Sequence, residues 1–121
     1  MKKDAKVVVY KQKNIEYPDK SENYRPGILY PEYPFGELEI SKRANYVYDS
    51  VREAFHMMEM DLEHWGRPDW NPMGKLVEPG NVVLIKPNLV KESNYIKEIG
   101  TDCLYTHPSV VAAVRLCCNC S

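Results

Sequence analysis

The chain has 121 residues, enough for one domain around one core. Hydrophobic residues make up 44% and charged residues 27%, the balance of a globular polypeptide, not of a disordered or fibrous one. Sixteen Lys plus Arg against 17 Asp plus Glu leave a formal charge of -1, so no basic footprint is advertised and no nucleic acid is expected as a partner.

The opening MKKDAKVVVYK lacks the long apolar stretch and small-residue cleavage site of a signal peptide. Its apolar run, Val7 to Tyr10, is also too short to cross a bilayer, so no membrane partner is expected and the predicted location is cytoplasmic. Residues 5–10, AKVVVY, read as a short strand, because valine and tyrosine suit a pleated surface. Residues 11–42 form an irregular arm, and the part from 14 to 40 carries four prolines and two glycines that break any long regular element. Tyr24, Tyr30, Tyr33 and Phe35 are the side chains expected to anchor it.

Residues 43–65 carry the strongest helical periodicity. Val47, Val51, Ala54, Phe55, Met58, Leu62 and Trp65 recur at steps of three and four and make one apolar stripe, while Asp49, Arg52, Glu53, Glu59 and Glu63 fall largely off it. Ser41 or Asn45 can cap the start, Gly66 can close the end, and Pro68 blocks continuation. A turn at Pro79-Gly80 leads into NVVLIKPNLV, whose residues 82–86 read as a central strand covered on both faces. Strand, amphipathic helix and apolar strand together predict an α/β fold: an incomplete parallel-sheet βαβ layer with a long Tyr/Pro-rich N-terminal arm. Thr106-His107-Pro108-Ser109 then opens a second helix over 107–117, since proline at the first helical position loses no hydrogen bond.

Two strands seldom make a stable covered sheet. The expectation is therefore an N-terminal fragment of a larger domain over 1–121, marginally stable and inactive alone. The missing C-terminal half or self-association would supply the neighbouring strands.

The candidate site lies where the predicted strand ends. Lys86 stands at its C-terminal edge, where ligands bind in open α/β sheets, and Pro87 holds it extended. Asn88 adds a donor and an acceptor, and Thr106, His107 and Ser109 sit at a helix start whose free N–H groups can hold an anion. A small anionic ligand is the expected partner of the complete protein, with an enzyme or cofactor-handling role; the alternative is a structural or interaction segment. Against each residue stands a plainer role: Lys86 extends into solvent or pairs with Glu92, and His107 caps its own helix.

The cysteines, Cys103, Cys117, Cys118 and Cys120, cluster near the C-terminus and are expected to be free thiols. They lack the paired C-x-x-C spacing of a zinc site and the run of an iron–sulfur protein, so no metal is expected and the cofactor is unknown. No glycine-rich nucleotide loop is present.

Four stretches carry a family resemblance: NYVYDSVREAF at 45–55, GRPDWNPMGKLVEPG at 66–80, VVLIKPNLV at 82–90 and THPSVV at 106–111. In order and spacing they resemble the N-terminal part of the domain-of-unknown-function 362 family, in which an apolar strand ends in Lys-Pro-Asn and Thr-His-Pro opens the next helix. The resemblance implies a longer protein, truncated or frameshifted here after Leu116, where CCNCS replaces the helix continuation. Some relatives in that family carry ferredoxin-like cysteine motifs; this chain carries none.

Overall fold

The computed structural model describes residues 5–14, 16–90 and 104–118. Two α-helices organise it, α1 at Tyr46–Met57 and α2 at Pro108–Cys117, and they pack against each other. Three single 3-10 turns, Lys20–Glu22, Glu37–Glu39 and Leu62–His64, shape the connections.

Helix α1 begins where Asn45 can cap it. The Asn45 side-chain oxygen accepts from the Tyr48 N–H at 3.1 Å, satisfying a donor the helix itself leaves free. The Asn45 amide nitrogen donates to the carbonyls of Tyr24 and Arg25, both at 2.9 Å, so the cap also fastens the arm. The helix stops well short of residue 65. Glu59 and Asp61 adopt left-handed backbone conformations with φ of 59° and 56°, which no α-helix accommodates. The unwound turn frees the Asp61 carboxylate to accept from the Asn71 backbone at 2.8 Å, and the Trp70 indole donates to the Met60 carbonyl at 3.2 Å. The chain thereby folds back and sets Trp65 and Trp70 edge to face, with ring centroids 4.8 Å apart.

The core is aromatic. Tyr30, Tyr33, Tyr48 and Ala113 are buried together, with Val51 and Leu116 packed on them. Tyr30 stacks on Tyr48 at 5.1 Å and Tyr33 meets Tyr48 edge-on at 6.4 Å, contacts worth about 0.5–1.5 kcal/mol each beyond the area they bury. The hydroxyls stay satisfied: Tyr30 donates to Asp49 at 3.1 Å and Tyr33 to the Glu39 carbonyl at 2.8 Å. Burial raises the Tyr30 and Tyr48 phenols well above their ordinary range, so both remain neutral. The stripe expected on α1 is thus rotated. Tyr48 and Arg52 are its buried residues, while Met58 and Leu62 lie exposed.

The expected parallel-sheet layer is overturned: the fold is helical, with no strand among the described residues. The physical reason lies in the segment 82–86. It lacks a pairing partner, and its apolar side chains stand in solvent, Val82 at 98% and Leu84 at 90% exposure. Ala5–Tyr10 is irregular as well, with Val7 and Val9 exposed. A single antiparallel bridge, Leu89 to Tyr105, is the only β-type pairing described.

Candidate functional site

The bridge at Leu89 brings two of the sequence motifs side by side. The Asn88 N–H donates to the Thr106 hydroxyl at 3.1 Å, and the Thr106 N–H returns a bond to the Asn88 carbonyl at 2.8 Å. The Val90 N–H donates to the Leu104 carbonyl at 2.9 Å. Lys86, two residues upstream, is exposed, and Glu92 lies outside the described residues, as do Cys103 and Cys120.

At the start of α2 the polar groups are turned on one another. His107 is the N-cap: its Nδ1 accepts from the Ser109 N–H at 3.3 Å and lies 2.8 Å from the Ser109 hydroxyl. The Val110 N–H is taken by the His107 carbonyl at 2.9 Å. The His107 ring is stacked on Tyr17 at 4.0 Å and meets Tyr24 edge-on at 5.7 Å. Ser109 is fully buried. Asn88 and Thr106 are therefore brought together, whereas His107 and Ser109 serve the helix end and the packing of the arm.

The most elaborate polar arrangement surrounds Arg52, a residue whose place off the apolar stripe gave no hint of burial. Its guanidinium carbon lies 4.0 Å from the centroid of Tyr30, 4.6 Å from that of Trp65 and 5.4 Å from that of Trp70. Glu32 closes the cage with a two-pronged ion pair, Nε to Oε1 and Nη2 to Oε2, the latter at 3.1 Å. Both side chains are under a tenth exposed. His56, one turn on, stacks flat on Trp65 at 4.0 Å. The cage residues come from three segments, which is why no local motif announced it.

Beside the cage, residues 59–76 form a second polar group. The His64 Nδ1 lies 2.6 Å from the Asp61 carboxylate, and its Nε2 is 3.9 Å from Asp69. The Asp61 hydrogen bond raises the His64 pKa above its usual value. Partial burial pushes the Asp61 carboxyl upward, but the Asn71 N–H and the His64 ring outweigh it and hold the pKa below the usual range. These groups line a cavity of about 380 Å³ together with Lys75 and Leu76. A second cavity, of about 270 Å³, lies between Glu32, Trp70 and Cys117. A third, of about 520 Å³, opens between the arm at Tyr10–Tyr17 and the α1 face of Tyr46, Val47 and Val51. No cluster of three or more metal-type ligands occurs among the described residues, and Cys117 and Cys118 are free thiols. No described helix is long and apolar enough to cross a membrane.

No family model matches the chain, and no curated protein or solved structure matches it either.

Proposed function

We propose that the chain is an interaction module that pairs with a second copy of itself through the extended segment 82–86. The carrying observation is the full exposure of Val82 and Leu84 in a run of β-prone residues whose backbone makes no hydrogen bond among the described residues. Such a segment is a template for edge-to-edge pairing. Its sequence suits an antiparallel, two-fold pairing centred on Leu84: Val83 would face Ile85, and Val82 would face Lys86. No like charges then oppose each other across the ribbon. Pro87, which has no N–H to give, limits the ladder at one end.

Sedimentation velocity over a concentration series tests this reading. The chain should dimerise, and Leu84→Lys should return it to monomer, since the two-fold axis sets the introduced charges against each other. A chain that stays monomeric at about 100 μM, a concentration at which even weak association registers, would end the proposal.

A second reading keeps a small anionic ligand at Lys86, Asn88 and Thr106, within an enzyme or cofactor-handling protein. The mutual hydrogen bonds of Asn88 and Thr106 favour it, because they join the two motifs that carry the family resemblance. Calorimetry with inorganic phosphate, on the chain and on Lys86→Ala, tests it: heat that survives the substitution would remove Lys86 from the site.

A further inference from the structure

The 270 Å³ cavity beside Trp70 has a one-sided chemistry. Its polar lining consists of Glu32, Asp69 and Asn71, and no lysine, arginine or histidine lines it. The remaining wall is Trp70, buried to 4% exposure, with Pro68, Pro72 and the α2 residues around Cys117. The Trp70 N–H is already committed to the Met60 carbonyl, so toward the cavity the indole offers only its carbon frame. Burial pushes the Cys117 thiol up to about 12, which leaves it uncharged at neutral pH. The Glu32 carboxylate spends two bonds on Arg52, and a carboxylate has about four acceptor positions, so it retains capacity.

A second observation points the same way. The Asn71 Oδ1 is buried and has no hydrogen-bond partner among the described residues. A buried acceptor without a donor costs about 1–3 kcal/mol. Asn71 is held in place from its backbone, which donates to Asp61 and whose carbonyl accepts from Gly74 at 3.0 Å. A side chain at Gly74 would meet the Asn71 amide nitrogen at 2.9 Å, so the turn crowds the nitrogen end of this amide and keeps a glycine against it.

We propose that this cavity binds a small organic cation bearing N–H donors, an alkylammonium or guanidinium group. Its donors would be shared among Asn71, Asp69 and the free lone pairs of Glu32, and its carbon portion would lie on Trp70. An anion would meet carboxylates there, and a neutral apolar molecule would leave the acceptors unpaired. The cage next door is built from the same chemistry, with Arg52 held between aromatic rings and a carboxylate.

The test uses the full chain and three probes: n-butylammonium, methylguanidinium and tetramethylammonium, titrated at constant ionic strength. The readout is the Trp70 indole signal in proton–nitrogen spectra. Butylammonium and methylguanidinium should move that signal saturably, and tetramethylammonium, which has no N–H, should not. Asn71→Leu should weaken binding by about tenfold, the worth of one charge-assisted hydrogen bond. The same substitution should leave the thermal midpoint equal or higher, because it removes an unpaired acceptor. Asp69→Asn, at an exposed position, supplies a second variant that keeps the fold and should also weaken binding. Three results overturn the proposal: no saturable shift with either donor probe, equal binding of tetramethylammonium, or unchanged affinity in both variants.

Discussion

The core around Tyr48 and the segment around Leu84 have similar raw material and opposite fates. Each is rich in large apolar or aromatic side chains, yet Tyr48 is 1% exposed and Leu84 is 90% exposed. The difference lies in the neighbours. Tyr48 sits on a helix whose cap is tied to the arm, and Tyr30 and Tyr33 arrive from that arm to cover it. The 82–86 run has no corresponding cover among the described residues. Apolar composition states what a segment gains by burial; only the rest of the chain decides whether burial is offered.

The largest expected effect comes from opening the covered region at its charged centre. Arg52→Ala leaves Glu32 buried without a counter-charge and should cost about 3–5 kcal/mol, read as a fall in the urea midpoint. Arg52→Lys should recover little of this, because an ammonium reproduces neither the two-pronged pairing nor the stacking. Tyr48→Ala should cost about 3–5 kcal/mol, as for other large core truncations. Leu84→Ala, the same kind of truncation in the uncovered segment, should change monomer stability by less than about 0.5 kcal/mol. Near-equal losses for Tyr48→Ala and Leu84→Ala in monomeric protein would break the comparison outright. Asn45→Ala should lower stability by about 1–2 kcal/mol, the upper range for a cap, since the same side chain also anchors the arm.

The smallest expected effect is a pH dependence from the Asp61–His64 pair. The raised His64 pKa means its contribution is complete below the unfolded value of 6.5 and is lost as pH rises through the higher folded pKa. The lowered Asp61 pKa means its contribution is complete above 3.8 and is lost as pH falls through the lower folded pKa. The pair therefore helps most between 3.8 and 6.5. The gap in urea midpoint between the native chain and His64→Gln should be widest near pH 5.5 and narrow toward pH 8.5. A gap that widens with pH would assign His64 the opposite sign.

What could be read from the sequence was what depends on near neighbours. The start of α2 was legible because cap, proline and serine are consecutive, and Tyr30 and Tyr33 were recognisable as anchors because an arm so rich in proline needs side chains to hold it. The burial of Arg52 was not legible, since Tyr30, Glu32, Trp65 and Trp70 meet it from positions up to 22 residues away. The break in α1 was hidden for a related reason: periodicity continues through Leu62 and Trp65, while the backbone turns left-handed at Glu59 and Asp61 to serve Asn71 and Trp70. The run 82–86 misled because an apolar stretch reads the same whether or not a partner strand exists. Of the candidate residues, the meeting of Asn88 with Thr106 was anticipated only as two motifs on one edge, and the cavity beside Trp70 left no local signature at all.

The double use of Asn45 bears on how the chain reaches this state. One face of its amide starts α1, and the other grips a stretch of backbone some 20 residues earlier. The nucleation of the helix and the closure of that loop are thus joined in one side chain. Neither the entropy of closing the loop nor the cost of the first helical turn is recovered until both are complete. A peptide spanning α1 alone should be largely unstructured in water. The folding transition state of the whole chain should already hold the arm against the helix, so substitutions at Tyr24, Arg25 and Asn45 would slow folding more than they speed unfolding.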